Sequence, residues 1–113
     1  MLRVGVVELR VLVSEGQTVE LECRKQGNST EKPIVAKWRY RRSAGDSPSR
    51  VSTNRRVKLG FRRRRYTVKA SNDSGDFSLT IRQVRHNDEG RYTCLIAYQS
   101  TEIRRIVHLD VTG

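Results

Sequence analysis

Histidine and cysteine are scarce: His86, His108, Cys23 and Cys94 are the only ones in 113 residues. Neither histidine has a predictable nucleophile or carboxylate beside it, and no glycine-rich phosphate loop is present. No catalytic constellation emerges, so neither an enzyme nor a cofactor is expected. No apolar run is long enough to span a membrane, and Met1-Leu2-Arg3 is too short for a signal peptide. Internal repeats and amphipathic helices are also missing. Apolar residues make up 35% of the chain, enough for a small core but a lean one. An even cysteine count fits one disulfide in an oxidising compartment; two free thiols are the other reading.

Acids are nearly absent from one quarter of the sequence. Between Lys37 and Arg65 there are twelve Lys and Arg and one acid, Asp46, while the rest of the chain carries eleven residues of each sign. The whole net charge of +11 therefore lies in that tract. A run of arginines is most often a solvated, self-repelling face. Against that stands the lack of neutralising acids, and the arginine fork, which binds sulfate, phosphate and carboxylate bidentately. The candidate contacts for a polyanion or an acidic partner are Arg39, Arg41, Arg42, Arg55, Arg56, Lys58, Arg62, Arg63 and Arg64. Stacking aromatics are sparse beside the arginine clusters, with only Phe61 and Tyr66 there, which disfavours nucleic acid.

The remaining pattern is that of short strands. Val4 to Val13 is apolar enough for two strands, followed by a turn at Ser14–Gln17. Val19, Leu21 and Cys23 alternate with Glu20 and Glu22, the period of a half-buried strand. Residues 27–33 are polar and read as a loop, in which Asn28-Ser29-Thr30 is an N-glycosylation acceptor. A strand from Ile34 puts Ala36, Trp38 and Tyr40 inward and Lys37, Arg39 and Arg41 outward. Arg50 to Phe61 has room for two more strands, Arg62 to Lys69 for another, and Asn72–Gly75 for a hairpin turn. Phe77, Leu79 and Ile81 alternate toward the core. A strand through Tyr98, a turn at Gln99–Glu102 and a strand from Ile103 to Val111 complete nine.

The stretch Asp88-Glu89-Gly90-Arg91-Tyr92-Thr93-Cys94, read with Cys23 and Trp38, resembles the immunoglobulin superfamily in its variable-type form. The separations are 71 residues from Cys23 to Cys94 and 15 from Cys23 to Trp38. The resemblance implies an all-β, two-sheet antiparallel sandwich of variable-type Greek-key topology over residues 1–113, with one intersheet disulfide, Cys23–Cys94, and Trp38 packed near it. It implies that Gly90 permits a tight corner, that the Tyr92 hydroxyl folds back on upstream backbone, and that Leu79 fills the strand before the corner. Arg65 matches the family's arginine that pairs with the corner Asp88. With both cysteines bridged, no zinc site of the usual ligand count remains.

Two departures shape the functional expectation. Antigen-receptor domains carry a Phe-Gly-x-Gly bulge near the end; here the residues are Ile103-Arg104-Arg105-Ile106-Val107. The sequence is thus similar to non-rearranging domains of cell-surface receptors and innate recognition proteins. Positions that pair heavy with light chains in antibodies are Arg39 and Arg41, and a like-charged patch disfavours that dimer. The expectation is an extracellular, non-catalytic recognition module excised from a larger ectodomain. Its partner would be a protein or a sulfated or acidic glycan. The alternative is an antigen-receptor-like or adhesion domain in which the basic tract is only a solvated face.

Overall fold

The structure, a computed structural model, describes residues 3–24, 31–58, 60, 64–69 and 75–113. The glycosylation acceptor at Asn28, the turn at 72–74, Phe61, Arg62 and Arg63 lie outside the described residues. Among the described residues, nine strands run in chain order: β1 (Arg3–Ser14), β2 (Val19–Leu21), β3 (Val35–Arg41), β4 (Ser49–Thr53), β5 (Arg56–Val57), β6 (Tyr66–Val68), β7 (Leu79–Ile81), β8 (Gly90–Ala97) and β9 (Thr101–Thr112). They form a six-stranded sheet, β1-β9-β8-β3-β4-β5, and a three-stranded sheet, β2-β7-β6. Every pairing is antiparallel except β1 with β9. The Cys23–Cys94 disulfide joins the sheets across a Cα–Cα distance of 6.5 Å.

Alternation builds the core. On β3, Ala36, Trp38 and Tyr40 are buried; on β8, Tyr92, Cys94 and Ile96; on β7, Leu79 and Ile81. Trp38 stands opposite Cys94 in the β3–β8 register, and its indole N–H donates to the Phe77 carbonyl at 2.7 Å. That bond satisfies the one polar atom the ring takes into the core.

Two features differ from the sequence expectation. Val4–Val13 was expected to make two strands; β1 is instead a single strand of 12 residues that pairs along its whole length with β9. A continuous register from Arg3–Thr101 to Ser14–Thr112 leaves no break at which the strand could cross to the other sheet. The strand expected from Arg62 is seen only from Tyr66, because Arg64 has φ +68, a turn conformation that interrupts an extended run. β6 belongs to the three-stranded sheet and lies against β5 of the other one.

The corner before β8 is built by buried polar contacts. A 3₁₀ turn at His86–Asp88 delivers Asp88 to a fully buried position. Gly90 has φ +151, and a Cβ there would lie 2.6 Å from Tyr40 Cε1 and 2.8 Å from the Arg41 carbonyl oxygen. The Tyr92 hydroxyl donates to the Asp88 carbonyl at 2.6 Å. Burial, reinforced by Tyr66 beside it, pushes the Tyr92 phenol up, so it remains a neutral donor.

Candidate functional site

The outer face of the six-stranded sheet carries a cationic basin. Strand parity creates it: with Trp38 and Tyr40 inward, Lys37, Arg39 and Arg41 face out from β3 at a spacing of about 7 Å along one strand. Across the β3–β8 register, Lys37 stands opposite Leu95, Arg39 opposite Thr93 and Arg41 opposite Arg91. Arg104 stands opposite Leu95 on the far side. These residues, with Tyr40 and Pro48, line a shallow cavity of about 280 Å³ that includes no carboxylate among its described lining. Its floor is partly apolar through Leu95, and its rim is positive on both sides.

A second depression lies at the sheet's other edge, lined by Arg50, Thr53, Asn54, Arg55, Arg56, Val57 and Lys58. Arg50 stands opposite Arg39 across β3–β4, which links the depression to the basin. Arg42 is exposed beyond the end of β3, beside Arg41 and Arg91. Arg64 is exposed on the turn before β6, and its carbonyl accepts from the Arg82 guanidinium at 3.1 Å.

Arg55 has a different role from its neighbours. Its Nη1 donates to the carbonyls of Lys69 and Asp76, and its guanidinium stacks 4.3 Å from the centroid of the Phe77 ring. The side chain thus ties the β4–β5 turn to backbone flanking the three-stranded sheet. A candidate ligand contact in the sequence, Arg55 also serves as an intersheet clamp through its Nη1. Arg55→Ala should therefore lower unfolding free energy by about 1–3 kcal/mol, from two charge-assisted bonds and the stacked ring. Arg56→Ala, on an exposed side chain, should stay within about 0.5 kcal/mol. Urea titrations of the two variants check this; equal effects would contradict the clamp.

Arg65 is structural in a stronger sense. It is 8% exposed and grips Asp88 with both forks, Nη1 to Oδ2 at 2.7 Å and Nη2 to Oδ1 at 3.0 Å. The Tyr66 hydroxyl adds a bond to Oδ1 at 2.6 Å and the Arg85 N–H one to Oδ2 at 2.8 Å. Burial pushes the Asp88 carboxyl up, and these donors outweigh it, holding it below the usual aspartate range. The same hydrogen bonds raise Arg65.

Arg91 and Arg104 escaped the sequence reading because they lie outside the Lys37–Arg65 tract. The signal for both was available: Tyr92 and Cys94 point inward, so Arg91 points out, and Val107 and Leu109 inward place Arg104 outward. At the opposite margin of the sheet, acidic side chains sit beside the donors. Arg10 pairs with Asp110 at 2.7 Å and His108 with Glu8 at 2.5 Å. Arg104 itself has Glu102 at 3.4 Å, both partly solvated. Among the described residues, no three His, Cys, Asp or Glu side chains cluster to hold a metal, and no helix is long and apolar enough to cross a membrane.

The family model described as the immunoglobulin V-set domain matches residues 6–112. No curated protein matches the sequence. Among solved structures, murine CRIg superposes with a TM-score of 0.76 at 21% identity, covering 92% of each chain. A chain from a structure describing T cell specificity and activation by the bacterial superantigen toxic shock syndrome toxin-1 gives 0.72 at 18% identity, covering 90% of this chain and 92% of that one. The RIG-5 IG1 homodimer gives 0.65 at 25% identity, covering 91% and 89%.

Proposed function

The chain belongs to the immunoglobulin V-set family, and from that premise we propose that it is a non-catalytic extracellular recognition module whose cationic sheet face binds a polyanionic chain, such as a sulfated glycan. The observation that carries this reading is the basin: Lys37, Arg39, Arg41, Arg91 and Arg104 converge on one concave face with no carboxylate in its described lining. Arg50, Arg56 and Lys58 continue the field toward the sheet edge. Desolvating so many like charges without a partner is unfavourable, and an anion that releases its counterions on binding reverses the sign. The same charge keeps the face from packing on its own copy in the antibody manner.

A protein ligand is the second reading. Leu95 and Pro48 line the same basin, and an apolar centre with a polar rim is the anatomy of a protein interface. The resemblance to a homodimer and to a chain from a superantigen-related structure supports that class. Salt separates the two, because an apolar contact keeps most of its affinity where a sulfate contact set does not.

On a heparin column the wild type should be retained at physiological salt. About four neutralised charges imply a slope near −3 in log affinity against log salt, or roughly a 50-fold fall between about 50 and 200 mM, by analogy with single-stranded nucleic acid. The triple variant Arg39→Glu, Arg50→Glu, Arg56→Glu should elute far earlier with an unchanged thermal melt. Passage of the wild type through the column would leave the protein-ligand reading alone.

A further inference from the structure

β1 is the edge of the six-stranded sheet, and among the described residues its only strand neighbour is β9. No described strand pairs with its other side, where a row of backbone N–H and C=O groups faces outward. Monomeric proteins usually blunt such an edge with proline, a bulge, a short strand or covering structure. β1 is 12 residues long, contains no proline and holds one register with β9 throughout. It also carries most of the exposed large apolar side chains: Val6 at 55%, Val7 at 38%, Leu9 at 45% and Leu12 at 69%.

We infer that β1 is a self-association edge, pairing antiparallel with β1 of a second copy about a two-fold axis at Leu9. The residue order is self-complementary in that register. Glu8 comes opposite the partner's Arg10, and Arg10 opposite the partner's Glu8. Val6 meets the partner's Leu12, Val7 meets the partner's Val11, and Leu9 meets the partner's Leu9. Moving the axis by one residue would set Glu8 against the partner's Glu8 or Arg10 against the partner's Arg10, both unfavourable, and moving it by two would leave Glu8 and Arg10 facing no opposite charge. Half-step registers would pair outward residues of one copy with inward residues of the other. Charge complementarity therefore selects both the occupant and the register.

The surroundings of Glu8 and Arg10 favour the arrangement. His108 holds Glu8 and Asp110 holds Arg10 on the outer face, yet the two side chains remain 57% and 67% exposed. Each has room for a second partner, giving a four-membered run of His108, Glu8, the partner's Arg10 and the partner's Asp110, repeated by symmetry. The axis is normal to the sheet, so both cationic basins face the same way. Two basins on one surface would engage a single long ligand with avidity, although the pairing itself does not depend on that ligand.

An edge contact is small and belongs to the transient class of interfaces, so the experiment is sedimentation velocity from about 5 to 500 µM. The wild type should pass from monomer toward dimer across that range. Glu8→Arg alone and Arg10→Glu alone should each raise the dissociation constant about tenfold or more, because two cross-strand pairs turn repulsive. An equimolar mixture of the two variants should regain a one-to-one dimer, since opposite charges face each other again; this also shows that both variants are folded. Leu12→Lys, which places a charge against the partner's Val6, should weaken the dimer independently. A wild type that stays monomeric throughout, a dimer indifferent to both charge reversals, or a mixture that fails to recover would overturn the inference.

Discussion

Asp88→Ala should lower unfolding free energy by about 3–5 kcal/mol, as expected when one partner of a buried ion pair is removed. The carboxylate is fully buried and accepts from Arg65 twice, from Tyr66 and from the Arg85 backbone. Truncation leaves the Arg65 guanidinium buried without its counter-charge and removes the carboxylate that the Tyr66 hydroxyl and the Arg85 N–H donate to. Arg65→Ala should cost a similar amount, and the double variant much less than the sum, since both singles break one network. A urea denaturation series on the three variants reads this; a loss under about 1 kcal/mol for Asp88→Ala would contradict it. The pH dependence follows from the same contacts. The folded carboxyl titrates below its unfolded value of about 3.9. Its contribution is therefore complete above that value and is lost as pH falls through the depressed folded one. Acid unfolding of Asp88→Asn should lack this component, while the two proteins should show parallel stability between about pH 5 and 7.

Breaking the Cys23–Cys94 bridge should lower stability by about 4 kcal/mol through the entropy of the unfolded chain, given a span of 71 residues. Both cysteines are completely buried, so a reductant reaches them only when the sheets separate. Native protein should resist reductant at low temperature and lose its bridge near the melting transition. The comparison is a thermal melt with and without reductant, alongside Cys23→Ala/Cys94→Ala. Coincident melts would show that the bridge adds nothing. The two largest effects act on opposite sides of the equilibrium: Asp88 holds the native corner, while the bridge restricts the unfolded ensemble.

Much of this architecture was legible from short-range pattern. The Asp88 to Cys94 stretch specifies much of its own corner because the Tyr92 hydroxyl bonds the Asp88 carbonyl only four residues away. Period-two alternation placed Trp38 inward and Arg39 outward without any knowledge of the partner strands. What stayed hidden depends on contacts far apart in the chain. Nothing near Arg55 announces that its guanidinium will reach the carbonyls of Lys69 and Asp76. Nothing within Val4–Val13 distinguishes a strand that crosses between sheets from one that stays with β9. The basic tract could be counted, but charge alone could not say that β6 would take Arg65 into the core of the corner while Arg91 and Arg104 joined the exposed field from outside it.

The pairing of β1 with β9 also sets the order in which the molecule can assemble. Ser14 and Thr112 meet across 98 residues and Arg10 and Asp110 across 100. Closing such a loop is slow, and the hairpins β3–β4 and β8–β9 form by shorter routes. β1 has no docking site until β9 exists. At a synthesis rate of about 5–20 residues per second, the first strand waits about 5–20 s for the last one. Throughout that interval Val6, Val7, Leu9 and Leu12 travel on a segment without its partner strand, which makes β1 the part of the nascent domain that most needs shielding until β9 has been made.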